Sequence, residues 1–128
     1  MFDSIFVIIG LLFVKHWYID FVNQDDVEVK HKGIYLDWRG VKHSLKQGLG
    51  TFFMFSVWIT LFGAKVTPYL GFIVLMSMVD FIVHYHIDWI KMNYGNRDIT
   101  TPAFWNHLGL DQMAHQLTYI AIAYFALQ

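Results

Sequence analysis

Three histidine–aspartate pairs in this chain share one spacing: His16 with Asp20, His84 with Asp88, and Asp111 with His115. Residues four apart lie on one helix face, so each pair sets an imidazole beside a carboxylate. Two donors one turn apart can chelate a metal ion, as the paired histidines of zinc metalloproteases do. The chain has no cysteine. A metal would therefore be held by imidazole nitrogen and carboxylate oxygen, a set that suits Zn²⁺ first, with Mn²⁺ or Fe²⁺ as alternatives, over soft Cu⁺.

Each pair extends into a stripe or has neighbours. His16, Asp20 and Gln24 recur at intervals of four, and so do Asp80, His84 and Asp88. Asp80 is the deeper residue, and its expected role is to hydrogen-bond a ligand histidine and fix its tautomer. Gln24, His86 and Gln112 are expected in similar supporting positions, although His86 points off its stripe. His43 joins the candidate ligands, which are then His16, Asp20, His43, His84, Asp88, Asp111 and His115. Plainer readings stand beside these. The first pair could be a solvated helix end, Asp111 could be an N-cap, and His31 and His107 read as ordinary loop residues.

The elements that must position these side chains are membrane helices. Hydrophobic residues make up 56% of the 128, and charged residues 15%, against about 25% in soluble domains. Four apolar segments approach the roughly 20 residues a spanning helix needs: 4–22, 45–66, 68–90 (with Pro68 in its first turn) and 111–127. The expected fold is all-α, one integral membrane domain over residues 1–128, built as a four-helix transmembrane bundle with a short interfacial helix before the last span. That short helix starts at Thr101-Pro102 and ends at Gly109. Val27-Glu28-Val29 and Ile34-Tyr35-Leu36 flank Gly33 as a possible hairpin. Gly48 and Gly50 are positions where helices could approach closely. The first segment lacks a basic leader and a cleavage site, and reads as a retained helix.

Lys30, Lys32, Arg39, Lys42 and Lys46 belong to or flank the first connection, and Lys91 and Arg97 belong to the third. The other side has only Lys65 and the amino terminus. The positive-inside rule then places both long connections in the cytoplasm and both termini outside, in a multi-pass protein of the inner membrane. That topology, drawn from lysine and arginine alone, brings every His/Asp pair to one layer at the cytoplasmic face. Ionisable groups inside a membrane are costly and mark function by default.

Lys15-His16, Asp20-Phe21, Gln24, Lys32-Gly33, Tyr35, His43 and Gly50-Thr51 are followed by His84-Tyr85-His86-Ile87-Asp88-Trp89, Lys91, Phe104-Trp105, Gly109-Leu110-Asp111-Gln112 and His115-Gln116-Leu117-Thr118-Tyr119. In this order they resemble the small bacterial and phage membrane proteins of domain of unknown function 3307, from Lys15 to Tyr119. The resemblance implies a distant likeness to membrane metal-dependent hydrolases, at the level of fold. In the family pattern a further histidine falls where this chain has Gln47. A His-Pro-Gly-Gly-like turn falls near the segment that here reads Asp37-Trp38-Arg39-Gly40. One ligand fewer puts a two-metal site in doubt.

The first functional expectation is a metal-dependent hydrolase of a lipid or lipid-linked substrate. The metal would lower the pKa of bound water toward 7, and Asp88 or Asp111 would serve as catalytic carboxylate and general base. The second is a proton or metal-ion conductor, disfavoured by the apolar opposite half, where only Ser56, Thr60, Ser77 and Thr118 offer polar steps. The third is a non-catalytic membrane protein whose metal ties the helices together and which acts by binding a host membrane protein. A homodimer or higher oligomer is expected, as is contact with membrane lipid. The net charge of −1 supplies no basic surface for nucleic acid.

Overall fold

A computed structural model describes residues 2–63, 70–126 and 128, with side chains from Ser4. The described residues form helices α1 (Phe2–Trp17), α2 (Asp26–His31), α3 (Trp38–Phe62), α4 (Leu70–Tyr94) and α5 (Pro102–Phe125), and a π-helical turn, Tyr18–Val22, continues α1. There is no strand among them, as an all-α chain requires.

Three segments are long and apolar enough to cross a membrane: Ser4–Val22, Trp38–Phe62 and Leu70–Tyr94, with mean hydropathies of 1.9, 1.2 and 1.7. Helix α5 has the length, at 24 residues, but Asn106, His107, Asp111, Gln112, His115 and Gln116 lower its hydropathy, and it does not join the three.

Local signals explain where boundaries depart from expectation. Helix α3 begins at Trp38 rather than Leu45 because Asp37 caps it, its carboxylate accepting from the Arg39 amide at 2.9 Å. The hairpin expected around Gly33 is instead the helix α2. Asp25 accepts from the Glu28 amide at 2.7 Å, and an Asp followed three residues later by Glu is a helix start that outweighs the short alternation of Val27 and Val29. Thr101 caps α5 and Pro102 fills its first turn as expected, but no break follows. The interfacial helix and the last span are one helix, and Asp111 lies in its interior rather than at an N-cap. A glycine inside a helix costs only about 1 kcal/mol, so Gly109 does not end one anchored on both sides. The expected first-turn role of Pro68, the charge of Lys65 and the end of the last span at Leu127 fall outside the described residues.

The four long helices close a ring: α1 packs on α3 and α5, α3 on α4, and α4 on α5, while α2 rests on α3. Glycine permits two of these approaches. A Cβ on Gly48 would lie 2.8 Å from the Ser77 carbonyl oxygen, and one on Gly50 would lie 2.6 Å from Cδ of Lys15. Leu36 holds a left-handed backbone, φ 60°, and its amide donates to the Tyr85 hydroxyl at 2.6 Å.

The ring is apolar outside and divided inside. Phe6, Val14, Leu49, Phe53, Leu61, Leu75 and Leu117 are each more than half exposed, whereas a water-soluble bundle turns such a stripe inward. One end of the interior holds Ile8, Leu12, Phe55, Trp58, Ile73, Ile122 and Ala123. The other holds Lys15, His16, Asp20, His43, Gln47, His84, Asp88, Asp111 and His115, all buried.

Candidate metal centre

Each long helix sends residues to this polar end. His16 ends α1, and Asp20 stands in the π-helical turn, where its carbonyl accepts from the Gln24 side-chain amide. A π-turn carries an extra residue, so the stripe of His16, Asp20 and Gln24 is not a plain α-helical one. His43 and Gln47 come one turn apart from α3, His84 and Asp88 from α4, and Asp111 and His115 from α5.

Asp20, His84, Asp88 and His115 each offer one donor atom, all within 4.8 Å of one another. His84 Nε2 lies 3.4 Å from Asp20 Oδ1 and 3.1 Å from Asp88 Oδ2, and His115 Nε2 lies 3.6 Å from Asp88 Oδ1. Ligands about 2.0–2.2 Å from a tetrahedral zinc ion are about 3.3–3.6 Å from each other. Three contacts in the group, taken over both Asp88 oxygens, fall at or near that range, so two nitrogens and two oxygens stand close enough to share one ion. His115 Nε2 and Asp111 Oδ1 are buried, 3.5 Å apart, and neither makes a hydrogen bond. Buried polar atoms are nearly always partnered, and two orphans facing one space suit a cation.

His16 also lies close to His84 and His115, but its hydrogen bonds assign it differently. The Lys15 ammonium, which can only donate, reaches the Tyr119 hydroxyl at 3.2 Å. That hydroxyl is 3.1 Å from His16 Nδ1 and gives its own proton there. A neutral His16 then carries its hydrogen on Nε2 and donates to Gln112 Oε1 at 3.1 Å. Gln112 in turn donates to Asp111 Oδ2 at 3.0 Å. Both His16 nitrogens are thus engaged, which favours Asp20, His84, Asp88 and His115 as the inner set. His43 sits on its flank, with Nε2 3.0 Å from Asp20 Oδ1 and 3.3 Å from His84 Nε2.

Ammonium groups ring the carboxylates. Lys32 Nζ is 2.9 Å from Asp88 Oδ2, and Lys91 Nζ is 2.8 Å from Asp111 Oδ2. Burial alone would lower the pKa of Lys32, but the charges of Asp88 and Asp20 outweigh it and hold the ammonium above its ordinary value. Counted without the imidazoles, Asp20, Asp88 and Asp111 against Lys32 and Lys91 leave one negative charge. One proton would balance it, and so would a divalent ion with one further anionic ligand.

Two expected roles are corrected. Asp80 meets no histidine. It pairs with Lys15 at 2.7 Å and accepts from Thr51 at 2.5 Å, touching His16 only through Lys15 and Tyr119. A carboxylate two turns deeper than Asp88 needs a full counter-charge, which an imidazole does not supply. His86 is exposed, bonds the Ile82 carbonyl of its own helix at 2.7 Å and packs against Tyr35 and Tyr85, because two residues from His84 is another helix face. Of the two plain histidines, His31 ends α2, half-buried and 2.7 Å from Arg39, and His107 lies in α5, not in a loop, accepting from the Asn96 amide at 2.7 Å.

Lys15, Lys32, Gln47, Thr51, Tyr119 and Glu28 were not among the expected site residues. Gln47 donates to Asp20 Oδ1 at 2.7 Å, so the position where the family pattern carries a histidine lies inside the cluster. The same family now has direct support, because its model matches residues 7–128. The chain belongs to the DUF3307 family, described as protein of unknown function. No curated protein and no solved structure is matched. Membership in DUF3307 thus leaves the chemistry to be argued from the cluster itself.

Proposed function

We propose that this protein is a four-span membrane protein that binds one divalent ion, Zn²⁺ in preference to Mn²⁺ or Fe²⁺, through Asp20, His84, Asp88 and His115. We further propose that it uses the ion to hydrolyse a lipid or lipid-linked substrate. The observation that carries the metal site is the set of three contacts of 3.1–3.6 Å among those donors, whose ligand atoms all lie within 4.8 Å of one another. The fourth span would be α5, which closes the ring. The charge pattern supports both termini outside and the cluster near the cytoplasmic face of the inner membrane.

A bound divalent ion would polarise a substrate oxygen and acidify water. The chain's own groups have definable parts. Asp111 is anchored through Oδ2 by Lys91 and Gln112, and its Oδ1 stays free of hydrogen bonds beside His115. That oxygen is suited to take a proton from attacking water. Lys32 lines a pocket with Asp88 and would steady charge that builds on the substrate. His16, held through Tyr119, keeps Gln112 and hence Asp111 in place.

The conductor reading is weaker. Ser56, Thr60, Ser77 and Thr118 each donate to a carbonyl of their own helix, so they offer no steps across the half closed by Ile8, Leu12, Phe55 and Trp58. A structural metal in a non-catalytic oligomer is the third reading, since four protein ligands are also the donor count of a structural zinc site.

Elemental analysis of detergent-purified protein tests the site. The expected result is one equivalent of a transition metal, lost in His84→Ala and in Asp88→Asn. Well-folded wild-type protein free of metal after growth in metal-replete medium would overturn the reading and leave a protonated clasp. Turnover of phospholipid in vesicles by wild type, but not by metal-replete Asp111→Asn, separates the hydrolase from the structural site.

A further inference from the structure

Beside the cluster lies a cavity of about 270 Å³ whose wall includes Asp88, Lys32, Lys91, Asn96 and Arg97. Three cations around one small cavity are more than the carboxylates need. Lys32 and Lys91 each satisfy one carboxylate and keep further N–H groups. Arg97 is exposed and makes no hydrogen bond or ion pair. A guanidinium and two ammonium groups around one cavity match the oxygens of a phosphate. The rest of the wall is Gln24 and the apolar Val29, Met92, Phe104 and Leu108.

Lys91 also lines a second cavity, of about 320 Å³, between α4 and α5. Ile87, Ile90, Leu110 and Ala114 make its surface mostly apolar, with His107 and Asp111 also in the wall. A charged chamber and a greasy groove that meet at one lysine have the division of an amphiphile, with its phosphate at Arg97 and a hydrocarbon chain beside Ile90 and Leu110. Tyr94 and Trp105, both exposed, stand near this level, as aromatic residues do at headgroup depth.

We infer that the paired cavities bind a phosphate-headed membrane lipid, with Lys32, Lys91 and Arg97 on the phosphate and the α4–α5 groove on an acyl chain. The inference rests on the proposed membrane-embedded site and names the class of its substrate. It does not need the metal, because all three cations belong to the chain.

The test is native mass spectrometry of the full-length protein in detergent, titrated with phosphatidic acid, phosphatidylglycerol or phosphatidylcholine, with metal content read from the same spectra. Phosphatidic acid should bind at least roughly tenfold tighter than phosphatidylcholine, and Arg97→Gln should remove most of that preference. Lys30→Gln, an exposed cation of α2 outside the cavity, should leave it unchanged. Inorganic phosphate should compete only at far higher concentration than the lipid. Equal binding of the three lipids, or equal losses in Arg97→Gln and Lys30→Gln, would overturn the inference. So would inorganic phosphate binding as well as the lipid, because the groove would then contribute nothing. Lipid selectivity retained without metal sinks the metal reading alone, and metal retained without selectivity sinks the lipid site alone.

Discussion

The two ends of the bundle interior are built from the same four helices and opposite materials. At one end Ile8, Leu12, Phe55, Trp58, Ile73 and Ile122 pack with little polar content. At the other, four buried imidazoles and several carboxylates stand against lysines, with the His84 and His115 rings 4.2 Å apart. Lipid is as apolar as leucine, so the first end stabilises through packing alone. The second end carries a desolvation cost that its pairing only offsets. A fold needs the first kind of interior. The second is costly to build, which marks it as the candidate functional end.

That contrast can be broken from the ionisable side with the largest effect. Asp88→Ala removes the carboxylate shared by Lys32, His84, His43 and His115, and losing one partner of a buried pair costs about 3–5 kcal/mol. Reversible unfolding in mixed micelles should show that loss, together with absence of metal. Asp80→Leu should cost a similar amount because Lys15 is left unpaired. The double variant Lys15→Met with Asp80→Leu should recover most of it, since a buried pair is often replaceable by apolar residues. A double variant no better than the single would show that the pair holds the structure through Tyr119.

On the apolar side, Leu12→Ala should cost about 2–5 kcal/mol, at the lower end in lipid, and leave metal content unchanged. A drop in metal would mean the two ends are coupled. Gly50→Ala drives a methyl against the Lys15 stem and should cost about 1–3 kcal/mol. The smallest effect concerns the α2 cap. Burial raises the Glu28 pKa, but Lys46, at 2.7 Å, together with His43, outweighs burial and the repulsion of Asp25, holding it below its ordinary value. A depressed carboxylate stabilises the fold above its unfolded pKa and loses that contribution as pH falls through the folded value. Protease resistance of the first connection should therefore decline on acidification below about pH 4.5, and Glu28→Gln should flatten the decline.

The sequence was most legible where partners are close along the chain. The pairs of His84 with Asp88 and Asp111 with His115 follow from helix period, and the charge count foretold that His16, His43, His84 and His115 meet at one end. Lys15 was illegible because Asp80 lies 65 residues away, although a carboxylate deep in one span asks for a cation at matching depth in another. Gln47 reaches Asp20 across 27 residues, and nothing in an isolated glutamine announces that. Helix α2 was misread because six residues are too few for a period, and its capping aspartate carried the better signal. The continuity of α5 was missed because Gly109 was given more weight than its modest cost allows.

The Lys15–Asp80 pair has a consequence for how the chain is made. Synthesis delivers α1 to the membrane long before α4 exists, so Lys15 arrives without its counter-charge. A lone lysine at the middle of an inserting helix is disfavoured by about 2.5–3.5 kcal/mol, and near a helix end it can reach toward the headgroups instead. In a membrane, helix α1 would seat fully only once Asp80 of α4 is present to pair with Lys15. A later helix would thus complete the seating of the first, and a truncated chain that stops before α4 is expected to leave its own amino-terminal helix poorly seated.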